Sequence, residues 1–230
     1  MSNYSGPIYY AQETNLMYRV YAWMCGALTI TALTAYYIST SPYFVNLIFG
    51  NRAALPILII VQLGLVLSLS FLLERMTMAT ASLLFLLYSF CLGITLSTVF
   101  LVYTQTSIFA TFFVTAGMFG AMAIYGYVTK ADLTSIGSIG FMALIGLIIG
   151  GLVNLFLKSQ TFDYVLSAVG VLVFTLLTAY DVQKIKLLMQ ERAADKETMA
   201  KISLMGALIL YLDFVNLFLY LLRFIGRRKD

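Results

Sequence analysis

Apolar residues gather in seven long runs, roughly Val20–Ile38, Ala53–Leu73, Met78–Tyr103, Ile108–Val128, Ile136–Leu157, Tyr164–Tyr180 and Ile202–Ile225. A helix needs about 20 apolar residues to cross a bilayer, and all but the sixth run come near or beyond that. The sixth is shorter, and an acid, Asp181, stands at its end. Connections are brief except the one from Asp181 to Lys201, which leaves no room for a soluble domain. The pattern predicts an all-α integral membrane protein, a bundle of seven transmembrane helices forming one membrane domain over residues 1–230. Residues 1–19 make an N-terminal segment, 20–225 the spans, and 226–230 a basic tail.

The seventh run carries the sharpest signal. Its middle reads Leu-Ile-Leu-Tyr-Leu-Asp-Phe-Val-Asn-Leu-Phe-Leu-Tyr-Leu-Leu-Arg, from Leu208 to Arg223. At 3.6 residues per turn, Ser203, Gly206, Asp213, Asn216 and Tyr220 share one side, with Arg223 at its edge. An acid facing lipid at mid-depth costs about 2.5–3.5 kcal/mol on insertion scales, so the stripe faces protein or water and other helices surround this one. Asp213 reads either as a buried acid pinned by a neighbour's hydroxyl or amide, or as a functional group.

Composition agrees: 61% of residues are hydrophobic and 10% charged, outside the range of soluble domains. The formal charge is +4, with bases between apolar runs and in the tail, suited to topology signals and lipid headgroups and unlike a nucleic-acid surface. Cys25 and Cys91 both lie inside apolar runs and suggest neither a disulfide framework nor a metal site. With no histidine in the chain, any pH response falls to carboxylates.

Charge also orients the chain. With seven crossings the N-terminal side holds Arg19, Arg75, Lys130, Lys184, Lys186, Arg192, Lys196 and Lys201, against Arg52 and Lys158 in the opposite loops. The N-terminus is therefore expected in the cytoplasm. Met1 to Arg19 lacks the charged start and short apolar core of a cleaved signal peptide. Arg223, Arg227, Arg228 and Lys229 then fall on the far side, so either the tail breaks the rule or one span is re-entrant. Late charges orient less strongly than early ones, which favours seven crossings.

Polar and small residues mark the inner spans. Gly146 and Gly150, with Gly151 behind them, and Gly117, Gly120 and Gly126 predict close helix packing. Asn154 needs partners, and the polar stripe of the seventh span is a candidate. Thr95 and Ser97 bond their own backbone or line a polar path. Beyond Asp181, the spacing of Val182, Ile185, Leu188 and Met189 predicts that the sixth helix continues amphipathically out of the bilayer. Asp181 is either an interfacial acid balanced by Lys184 or Lys186, or the partner of Asp213, since consecutive spans usually pack side by side. The depth of Asp213, about eleven residues or roughly 16 Å past Ile202, allows that pairing only if the seventh helix starts early or water reaches down to it.

Three stretches together resemble the Bax inhibitor family, the transmembrane Bax inhibitor motif proteins: Gly-Ile-Thr-Leu-Ser at 93–97, Thr-Ala-Tyr-Asp-Val-Gln-Lys-Ile at 178–185, and Leu-Tyr-Leu-Asp-Phe-Val-Asn-Leu-Phe-Leu-Tyr-Leu-Leu-Arg at 210–223. Met118-Phe-Gly-Ala-Met and Tyr125-Gly-Tyr-Val-Thr-Lys are similar to bacterial members. The resemblance implies a seven-helix bundle with the last helix central, acting as a pH-sensitive calcium leak in the bacterial inner membrane. It implies that Asp181 and Asp213 form the proton sensor and a transient calcium site, and that Arg75 is the nearest candidate for a basic latch. Asn154, Asn216 and Tyr220 are candidates for a polar network or pore.

The chemistry of such a pair is consistent with this. Two carboxyls in hydrogen-bonding reach share a proton, losing it sets like charges side by side, and a hard divalent cation favours the same oxygens. The expected partners are the bilayer, calcium ions and protons, with no resident cofactor and no enzymatic activity. Two rivals stand beside the leak. A non-conducting regulator would bind other membrane proteins. An intramembrane aspartyl protease would use Tyr180-Asp181, but it needs Gly-x-Gly-Asp where Leu210-Tyr-Leu-Asp213 stands, and no Pro-Ala-Leu occurs.

Overall fold

A computed structural model of the chain describes residues 7–191 and 195–229. Residues 1–6 of the N-terminal segment, 192–194 of the long connection (including Arg192) and Asp230 lie outside the described residues. Eight helices follow in order: α1 Pro7–Thr40, α2 Pro42–Phe49, α3 Ala54–Leu72, α4 Met78–Val102, α5 Gln105–Val128, α6 Thr134–Leu157, α7 Gln160–Glu191 and α8 Lys196–Ile225, with a 3-10 turn Leu73–Arg75 after α3. All but α2 are long and apolar enough to span, which makes seven crossings among the described residues. In lipid every backbone N–H and C=O must be satisfied within its own segment, so apolar runs of this length become helices.

Two features differ from the sequence expectation, the start of α1 and an added helix α2, and one extension follows it. α1 begins at Pro7, so most of the N-terminal segment is helical. Leu16, Val20, Met24, Ala27, Thr31, Ala35 and Ile38 recur every three or four residues as one buried stripe, which begins four residues before the apolar run. α2 is an added short helix started by Pro42 at its first turn. α7 runs on to Glu191, as the amphipathic spacing predicts, and Val182, Ile185 and Met189 are buried against protein.

The chain forms two compact units. The first holds α1 to α4 with residues 186–191 and 195–208. In it α4 packs on both α1 and α3. A Cβ at Gly93 of α4 would meet the Thr31 carbonyl oxygen and the Thr34 Cβ, each at 2.7 Å, so glycine there is what lets α1 approach. Polar groups tie the same helices: Thr31 Oγ1 donates to Ser89 O at 2.9 Å, and Gln62 Nε2 donates to Cys91 O at 3.0 Å and to Thr95 Oγ1 at 2.6 Å. Thr95 is therefore part of an interhelical network, whereas Ser97 bonds its own backbone at Ile94 O. The Asp195 carboxylate accepts from Thr198 N at 2.8 Å and caps the start of α8, and Lys201 Nζ reaches the Glu74 carbonyl at 3.3 Å.

The second unit holds Tyr103–Ile185 with residues 209–229. At one end the tail folds back on the start of α5: Thr104 N donates to Arg227 O at 3.1 Å and Arg227 N to Ser107 Oγ at 2.8 Å. Tyr103 and Arg228 form an isolated antiparallel bridge there. At the other end the α5–α6 connection is fastened to α7 by Gln183, and Asp132 Oδ1 caps α6 by accepting from Thr134 N at 2.9 Å. Close packing involves fewer glycines than the sequence suggests. Gly126 lies against the Ala179 backbone and Gly150 against Leu166, whereas a side chain at Gly117, Gly120, Gly146 or Gly151 would meet nothing within 4 Å. Small residues permit close approach, but the face a helix turns to its neighbour decides which of them are used.

Candidate functional site: a carboxyl pair between α7 and α8

More of α8 is buried than of any other span. From Thr198 to Leu222 no residue is exposed, so the helix is enclosed on its polar and apolar sides alike. On α5, the rings of Phe112 and Phe119 meet Phe214 edge-on at 5.7 and 5.4 Å between centroids. On α7, Tyr220 covers Gly170, where a Cβ would collide with its ring, and stacks on Phe174 at 5.7 Å. α7 and α8 thus run antiparallel and in contact. Two turns further along α7 and two turns back along α8 stand Asp181 and Asp213.

The two side chains are in hydrogen-bonding reach of each other. Asp213 is 6% exposed, and its Oδ2 has no hydrogen-bond partner among the described residues. Asp181 is half-buried, with Lys184 as the cation acting on it. The depth difficulty resolves through the helix lengths. α8 starts at Lys196 and α7 continues to Glu191, so Asp181 lies about ten residues, roughly 15 Å, inside its helix. One proton can bridge such a pair. Two unit charges about 4 Å apart repel by about 4 kcal/mol at an effective dielectric near 20.

The other candidates have different surroundings. Asn154 Oδ1 accepts from Ser159 N at 3.1 Å and its carbonyl from Lys158 N at 2.8 Å. It therefore caps the turn after α6, where Lys158 takes a left-handed conformation (φ 50); its bonds are local and do not reach the polar stripe of α8. Asn216 Nδ2 donates to Leu212 O, one turn back on α8, at 2.8 Å. Tyr220 is a packing residue against α7 that also carries the Arg223 guanidinium 5.4 Å from its ring centroid. Arg75 is exposed in the turn after α3 and makes no salt bridge among the described residues. The sequence candidates do not include the buried Gln62, and Gln183 figures among them only as a polar position of the 178–185 motif. A lone amide in or beside an apolar run is the same signal that singles out Asn154, and it would have found both.

Residues 13–230 match the family described as "Inhibitor of apoptosis-promoting Bax1". The chain belongs to this Bax inhibitor family. Among its relatives, the inner membrane protein YbhL of Escherichia coli (strain K12) is 48% identical over 214 residues, covering 93% of this chain and 92% of that one. An uncharacterized protein of Borreliella burgdorferi is 43% identical over 95% of this chain and 94% of its own, and one of Rickettsia prowazekii 46% identical over 93% and 90%. In this Bax inhibitor family member, Asp181 and Asp213 meet where α7 and α8 pack together, two turns from the Phe174–Tyr220 contact.

Proposed function

We propose that this protein is a calcium leak of the bacterial inner membrane, with Asp181 and Asp213 as its proton-operated gate. One observation carries the reading: a carboxyl buried in the most enclosed span, with a second carboxyl beside it and one oxygen unpartnered. Buried polar atoms are nearly always saturated, so an acid that serves only to hold helices together would have both oxygens occupied. An unsaturated acid pair instead suits transient occupants, protons and hard cations. With the shared proton in place the pair holds α7 to α8. Losing it puts like charges in contact and loosens the helices, and a calcium ion then competes with protons for the dianion. Flux accordingly rises with pH, and calcium moves the transition to lower pH by linkage.

The location follows from the E. coli relative's being an inner membrane protein, together with the seven apolar helices. The excess of bases on the N-terminal side favours a cytoplasmic N-terminus. The protein acts here without catalysis. The family's description as an inhibitor favours a second reading, a non-conducting regulator of other membrane proteins. Purified protein in liposomes loaded with a calcium-sensitive dye separates the two. Calcium entry that rises with pH in the absence of any other protein supports the leak, and protein-free background rates at every pH would refute it.

A further inference from the structure

The segment of α7 that carries Asp181 is gripped from three sides. Gly126 near the end of α5 lies on the Ala179 backbone, where a Cβ would overlap the carbonyl oxygen. Gly137 near the start of α6 lies under the Tyr180 ring. Between those helices, Gln183 binds the connection with both ends of its carboxamide: Oε1 accepts from Leu133 N at 3.0 Å and Nε2 donates to Ala131 O at 2.8 Å. Asp181 sits in the middle of this grip. On α8 the nearest amide, Asn216, spends its N–H on its own helix.

From this arrangement we propose that Gln183 is a positioning residue: it clamps α7 to the α5–α6 connection and so holds Asp181 in register with Asp213. The inference rests on the gate reading above and says which side of the gate stays still. α5, α6 and this part of α7 are the stationary side, and α8 is the side displaced when the carboxyls repel. The side chain suits the task because its carboxamide carries a donor and an acceptor on separate atoms of one tip, which reach two backbone groups at once. Glutamate in its place would lose the donor and turn an anion towards the Ala131 carbonyl. Methionine has similar length and neither bond.

The charged groups around Asp181 are Asp213 from α8 and Lys184 from α7 itself, with Lys130 and Asp132 exposed on the clamped connection. Asp132 is engaged by Thr134. Gln183→Met changes none of these charges, so a change in pH response reports position.

The test uses Gln183→Met and Gln183→Leu in the full-length protein, reconstituted in liposomes. The clamp predicts unchanged insertion and a calcium-flux transition moved to lower pH by at least about half a unit, because a pair held in poorer register gives up its shared proton sooner. A folded variant with the wild-type midpoint would overturn the clamp, and so would loss of folded protein in both variants, which would make Gln183 merely structural. Absence of flux from the wild type counts against the leak and leaves the clamp testable. The protonated-carboxyl infrared band that Asp213→Asn removes can be titrated in detergent. Its midpoint should move in the methionine variant, and an unmoved midpoint rejects the clamp without reference to transport.

Discussion

Thr104 and Arg227 are joined backbone to backbone, the Thr104 N–H donating to the Arg227 carbonyl at 3.1 Å. The contact ties the chain's tail to the first turn of α5, while the far end of α5 leads into the connection held by Gln183. Within the second unit the tail and the α5–α6 connection therefore stand at opposite ends. That is the arrangement of a full final crossing rather than a re-entrant one, and the four late bases lie away from Lys130.

Thiol labelling checks this directly. With Cys25 and Cys91 changed to alanine, single cysteines at Ser159 and Lys229 should react with an impermeant reagent from the same side, and one at Ala131 only from the other. If the N-terminus is cytoplasmic, the first two label in intact cells. Labelling of Lys229 together with Ala131 would return the last span to the re-entrant form.

Asp213→Asn should abolish calcium entry into liposomes while the protein remains inserted and folded, because asparagine keeps the shape and removes the charge. Asp181→Asn should lose as much of the pH transition as the double substitution does, since the two carboxyls act as one unit. Additive single effects in the flux–pH profile would show two independent acids.

Gly126→Ala should destabilise the second unit by about 1–3 kcal/mol, the usual cost of overpacking. The added methyl overlaps the Ala179 carbonyl oxygen, a backbone atom that cannot swing aside. Gly146→Ala is the matched control, because nothing lies within 4 Å of a Cβ there. Thermal unfolding in detergent should separate the two, and equal melting temperatures would contradict the packing described.

Gln62→Leu should lower the stability of the first unit by about 0.6–1.7 kcal/mol, between the average and the largest value measured for interhelical hydrogen bonds in a membrane protein. It removes the 3.0 Å and 2.6 Å bonds to Cys91 O and Thr95 Oγ1. Thr95→Val alone should cost less, and a double-mutant cycle read by denaturant unfolding should give a favourable coupling.

The start of α8 should respond to acid. The Thr198 backbone N–H, then its hydroxyl, hold the Asp195 carboxyl below the usual carboxylate range. A lowered value in the folded state means the cap's contribution is complete above about pH 4, the ordinary aspartate range, and is lost as pH falls below it. The protection factor of the Thr198 amide, its exchange rate relative to the intrinsic rate at the same pH, should fall on acidification below that range in the wild type and be low at every pH in Asp195→Ala.

The number of spans, their helical form and the two membrane-depth acids were legible in the sequence. Each rests on a property of a single segment, the length of an apolar run or the cost of a charge within it. The pairing of Asp181 with Asp213 stood in the sequence as one of two readings, beside an interfacial acid balanced by Lys184 or Lys186, because the adjacency of two spans does not say which of their residues meet. Where a helix begins outside its apolar run was not legible, because capping and packing decide it: α1 starts at Pro7, and the Asp195 cap starts α8 at Lys196. The tertiary structure also chose among residues that look alike in one dimension. Asn154 caps its own turn while Gln183 reaches across to another helix pair, and Gly126 touches backbone while Gly117 faces open space. The reason is geometric: composition states that an amide or a glycine is present, but only the rotation of each helix against its neighbours decides what lies opposite it.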